Sequence, residues 1–105
     1  MKAKEFTQKL NEVAEADTVK KLSPLTDEEL LRGLRLSVSG EAEAIKLYSQ
    51  LAESCKNPKV KNILESISRE EQVHIGEFLE AINIINPEES KAYDEGRKEA
   101  RKNNA

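Results

Sequence analysis

The stretch Ser54-Cys55-Lys56-Asn57-Pro58 decides how this chain folds. Proline lacks a backbone N–H and breaks a helix interior, but at the first helical position that loss costs nothing. Asn57 is a good N-cap, because its side-chain oxygen accepts from the unpaired N–H groups of a first turn. The stretch therefore ends one helix near Ser54 and starts another at Pro58, with about three residues between them. Apolar residues run away from this break on both sides at steps of mostly three and four. Leu30, Leu34, Val38, Ile45, Leu51 and Ala52 precede it, and Val60, Leu64, Ile67, Phe78, Ile82 and Ile85 follow it. That periodicity marks amphipathic helices. Two long helices of equal length on so short a link lie antiparallel, as a helical hairpin.

The outer ends are also written in the sequence. Thr26 offers an N-cap, Glu29 completes a capping box, and Asp27 and Glu28 suit a first turn, so the first helix should begin at about Asp27. The second should end near Ile85, where Asn86-Pro87-Glu88-Glu89 repeats the start signal. A short third helix follows, with little apolar surface beyond Ala92 and Tyr93, fraying into Lys102-Asn103-Asn104-Ala105. Gly33 and Gly40 lie inside the first helix at a cost of about 1 kcal/mol each against Ala, which points to close packing or a backbone that something must approach. Phe6, Leu10, Val13 and then Val19 or Leu22 recur at rough helical spacing, giving an amphipathic arm that must dock on something and that Ser23-Pro24 ends. The expected division is an N-terminal arm over 1–23, a hairpin domain over 24–100 and a disordered tail over 101–105.

Composition agrees with an all-α fold in one domain: 35% of the 105 residues are charged and only 4% aromatic, which favours helix over strand. A net charge of −3 gives no reason to expect nucleic acid. No window approaches the ~18 apolar residues of a membrane span, and Met1-Lys2-Ala3-Lys4-Glu5-Phe6 has no apolar run of the kind a secretory signal carries. Cys55 is the single cysteine, without a partner for a disulfide or a thiolate metal site. The expectation is a soluble, cytoplasmic chain with neither nucleic-acid nor membrane partner.

Working outward from the break, polar residues interrupt the apolar stripes at matched heights. On the second helix the stripe Val60, Leu64, Ile67, Glu71, His74, Phe78, Ile82, Ile85 places Glu71 and His74 where apolar residues are due. On the first, Leu34, Val38, Glu41, Ile45, Tyr48, Ala52 does the same with Glu41 and Tyr48. Glu41 and Glu71 each lie fifteen residues from Lys56, or about 22 Å from the turn at ~1.5 Å per residue. Glu-x-x-His puts carboxylate and imidazole one turn apart, and four-helix di-iron proteins take such a pair from each of two helices and a lone Glu from each of the other two. The motif alone is weak: with 17 Glu in 105 residues, a Glu three places before the only His arises about one time in six. The matched heights give it weight, because a carboxylate in an apolar stripe needs a metal or a partner. One hairpin holds half of the set, and a two-fold dimer supplies the other half as a ferritin-like four-helix bundle. Carboxylates with a few imidazoles suit Fe(II), with Mn, Co or Zn as competitors.

Plainer readings stand beside this one. Glu41, Glu71 and His74 can be solvated residues of a Glu-rich chain, and Tyr48 a core tyrosine with a bonded hydroxyl. The whole hairpin can be a metal-free dimerisation or adaptor module. A peroxide-reducing, rubrerythrin-like di-iron protein is a third reading, against which the lack of a Cys-x-x-Cys pair counts.

Gly40-Glu41-Ala42-Glu43-Ala44-Ile45-Lys46-Leu47-Tyr48 followed by Arg69-Glu70-Glu71-Gln72-Val73-His74 resembles the encapsulated ferritins. These are two-helix ferritin-like proteins housed in encapsulin nanocompartments, as separate cargo or fused to the shell protein. The resemblance covers roughly residues 26–100 and keeps the spacing of Glu, Tyr and Glu-x-x-His without gaps. It implies a ferroxidase that oxidises Fe(II) with dioxygen, with Glu41, Glu71 and His74 as iron ligands and Tyr48 beside them. It also implies that the di-iron centre forms between two chains, that such dimers build a ring of ten, and that iron is stored in an encapsulin shell in the cytoplasm. Glu43 matches one member of the family's metal-gathering acidic cluster, while Gly40 stands where the other falls and Leu47 where some members have an aromatic residue. Glu43 is about 200° round the helix from Glu41 and so belongs to a separate set. Encapsulated members end in a targeting peptide of small and apolar residues, and none is found after Arg101.

Overall fold

The structure, a computed structural model, describes residues 3–5, 8 and 24–104. The apolar positions of the N-terminal arm, from Phe6 to Leu22, lie outside the described residues. Three helices make up residues 27–103: α1 over Asp27–Ser54, α2 over Pro58–Ile85 and α3 over Pro87–Asn103. No strand occurs among the described residues.

Both long helices begin where their caps dictate. Thr26 Oγ1 accepts from the Glu29 N–H at 3.1 Å and the Glu29 carboxylate accepts from the Thr26 N–H at 3.1 Å, so the box satisfies two otherwise unpaired donors. Asn57 Oδ1 accepts from Lys59 and Val60, with Pro58 at the first helical position. The link is Cys55-Lys56-Asn57, and α1 packs along α2 as an antiparallel hairpin.

The third start signal works differently. Asn86 makes no side-chain cap, and its backbone carbonyl takes up the Glu89 N–H instead. Pro87 keeps the preceding residue out of the helical region, so α2 has to break at Asn86. α3 then runs to Asn103, with acidic residues in its first turn and Arg101 and Lys102 in its last, as the helix dipole favours. Arg101, Lys102 and Asn103 are thus helical, where the sequence predicted a disordered tail from 101. Near-even spacing of opposite charges, as in Lys91–Glu88 and Arg97–Asp94, carries the helix further than its apolar content would.

The core is thin. Ala52 and Ile82 are the buried apolar residues among those described, and Ser68 is the buried polar one. Leu47, Leu51, Val60, Ile63, Val73 and Ile84 are exposed. The close packing anticipated at Gly40 is not found within the chain, since a Cβ there would meet nothing within 4 Å.

A contact that no local pattern announces ties the ends together. Arg35 on α1 makes a two-pronged pair with Glu89 on α3, through Nε at 3.1 Å and through Nη2, and the Tyr93 hydroxyl donates to the same carboxylate.

Candidate metal centre

The matched heights read from the sequence become a contact in three dimensions. Glu41 on α1 and Glu71 and His74 on α2 each offer one ligand atom, and these atoms all lie within 4.8 Å of one another. His74 Nδ1 is 3.5 Å from Glu71 Oε2 and 3.8 Å from Glu41 Oε1. Both separations are too long for hydrogen bonds, so the three donors surround a common point without closing on each other. No other such group occurs among the described residues.

The helices explain why these three converge. Glu71 and His74 are one turn apart on α2, and Glu41 faces them because the short link sets the register of the hairpin. Ser68 is buried one turn from Glu71, on the side of α2 that packs on α1.

Burial decides what the group can do. The Glu41 side chain is 20% exposed and that of Glu71 19%, whereas His74 is 47% exposed. Glu41 Oε2 is fully buried and has no hydrogen-bond partner, alone in this respect among the side-chain atoms described. A carboxylate oxygen withdrawn from water without a partner is costly, and a cation is the natural compensation. Hard carboxylate oxygens with one imidazole form a donor set that Fe(II) accepts, with other divalent ions in competition. These residues therefore fit an iron site.

The remaining sequence candidates fall outside the group. Tyr48 is half-buried two turns along α1 from Glu41, and its hydroxyl makes no hydrogen bond to the described residues. Glu43 is exposed on the far side of α1. Glu70 is exposed and Glu71 half-buried, which answers which carboxylate of the doublet points inward.

Comparison with known proteins agrees with the geometry. Residues 33–104 match the Rubrerythrin family profile. Over 66 residues the chain is 41% identical to a ferritin-like–encapsulin shell fusion protein of Pyrococcus furiosus, which spans 63% of this chain and 19% of that protein. It is 36% identical over 66 residues to the encapsulin nanocompartment cargo protein EncC of Myxococcus xanthus, across 63% of this chain and 51% of the relative. The chain thus spans about a fifth to a half of the length of these curated relatives. Its fold is similar to the crystal structure of the encapsulated ferritin domain from Pyrococcus furiosus, with a TM-score of 0.73 and 34% identity over 81% of this chain and 87% of that one. The chain belongs to the rubrerythrin family and is a relative of the encapsulated ferritins.

Proposed function

We propose that this rubrerythrin-family chain is a ferroxidase subunit, oxidising Fe(II) to Fe(III) with dioxygen at a di-iron centre shared between two copies. The observation that carries the reading is the buried, unpartnered Oε2 of Glu41 beside Glu71 and His74. Glu41 and Glu71 supply negative charge that holds Fe(III) more tightly than Fe(II), which favours the oxidised product. His74 adds a neutral nitrogen ligand. Fe(II) is the substrate, each ion giving up one electron to dioxygen. Tyr48, whose hydroxyl meets no partner among the described residues, orients ligands or oxidant, and Glu43 gathers cations on the outer surface.

Three side chains are too few for two ions, and the surface around them supports a second copy. At 100° per residue, Leu47 and Leu51 on α1 and Val60 and Ile63 on α2 fall on the edge of the hairpin where His74 is exposed. The opposite edge carries Arg35 and α3. A two-fold partner seated on the first edge would cover these residues and bring a second Glu41, Glu71 and His74 to the same point. The names of the two relatives support an encapsulin shell as the partner that stores the oxidised iron. A ring of ten subunits in a cytoplasmic nanocompartment is the assembly this reading entails.

Fe(II) titration under nitrogen with native mass spectrometry, followed by oxygen-uptake kinetics, tests the proposal. Glu41→Ala, Glu71→Ala and His74→Ala should each lose stoichiometric iron and slow Fe(II) oxidation at least tenfold. If all three match the parent in both measurements, the site assignment fails. The family match favours one second reading, in which peroxide is the oxidant. Faster single-turnover oxidation with hydrogen peroxide than with dioxygen would select it.

A further inference from the structure

α3 is held to the rest of the chain in a way that its own composition does not explain. None of its residues is buried; Glu89 and Ser90 are half-buried and Tyr93 is 38% exposed. A helix polar on all sides gains almost nothing from docking by apolar burial. Its joint to α2 is the single residue Asn86, at φ −137° and ψ 81°. Pro87 obliges that joint to break the helix but leaves a broad extended range open, so the backbone alone does not choose the angle at which α3 departs.

One cluster spans that joint. The Glu89 carboxylate is 12% exposed and receives the Arg35 guanidinium from α1, the Tyr93 hydroxyl and, at 3.5 Å, the Asn86 amide. Arg35 is 54 positions away in sequence, so the contact fastens α3 across the hairpin rather than along it. A planar two-pronged pair of this kind fixes orientation as well as distance. Glu89 is held below its usual carboxylate range, first by the bond from Arg35 and then by that from Tyr93.

We propose that the Arg35–Glu89–Tyr93 cluster is a latch that decides the angle of α3, and that α3 undocks at Asn86 and loses helical order when the latch is cut, because a helix draws most of its stability from tertiary contacts. None of the latch's members lies in the Glu41–Glu71–His74 group.

Amide hydrogen exchange on the full chain tests this. In Arg35→Met and in Glu89→Gln, exchange in residues 90–103 should accelerate tenfold or more, while residues 41–78 keep the parent's protection. The reciprocal pair Arg35→Glu with Glu89→Arg should recover part of the lost protection. Two outcomes overturn the latch. In one, α3 exchanges within twofold of the parent in both single variants, so other contacts hold it. In the other, protection falls equally in all three helices, so the cluster belongs to the global fold.

Discussion

Two partly buried carboxylate clusters occur among the described residues, and they are treated in opposite ways. Glu89 is closed: Arg35, Tyr93 and Asn86 meet its oxygens, and the cluster ties one helix to another. Glu41 is open: one oxygen is buried without a partner, and His74 stands 3.8 Å from the other. Depth of burial does not separate them, since Glu41 is no deeper than Glu89. What differs is satisfaction. A carboxylate whose hydrogen bonds are complete is a fastening, whereas one held short of its partners keeps its charge for something that has yet to bind.

Substitutions at the two carboxylates test this contrast. The largest effect should be on iron: Glu41→Gln and Glu71→Gln lose high-affinity Fe(II) by two orders of magnitude, and Glu89→Gln leaves it within twofold, as read by anaerobic equilibrium titration. Equal losses at all three positions would erase the distinction. Metal-free stability should move in opposite directions. Glu41→Leu removes a buried carboxylate oxygen that has no hydrogen-bond partner and should raise the urea-unfolding free energy by about 1 kcal/mol, in whatever oligomer the protein forms. Glu89→Leu strands Arg35 and should lower it by about 1 kcal/mol, a modest figure because the guanidinium is 47% exposed.

Acidity offers a further separation. The folded-state pKa of Glu89 is lowered, chiefly by Arg35, so its contribution is present above the unfolded value of about 4.3 and lost as pH falls through the folded one. Tyr93 is raised, chiefly by Glu89, so its contribution is present below about 10 and lost as pH rises through the folded value. Protection of α3 against hydrogen exchange, corrected for intrinsic rates, should therefore hold level from about pH 5 to 9 and fall outside that window. The smallest effect belongs to Tyr93→Phe, which leaves the Arg35 pair in place and should cost about 0.5 kcal/mol by the same unfolding measurement.

How much of this was legible in the sequence follows from the range of each interaction. The capping box at Thr26 and the Asn57-Pro58 start are local, with partners two or three residues away, and both helices begin where those residues required. Glu41 and Glu71 could be paired on paper because a three-residue link leaves one register for two helices of equal length. Asn86 misled in detail: it resembles Asn57, yet its side chain serves Glu89 rather than the helix end. The tail differs for another reason, since α3 continues to Asn103 with Arg101 and Lys102 in its last turn, where the helix dipole favours cations.

By itself, then, the sequence determined the helices, the break between the long pair and the height of the two Glu residues, because each of these rests on backbone chemistry with a short reach. The tertiary structure alone decided that Arg35 would find Glu89 and that Glu41 Oε2 would find nothing. Neither outcome has a local signature, because a charge on a helix surface meets its partner, or fails to, only once the crossing of two helices has brought distant faces together.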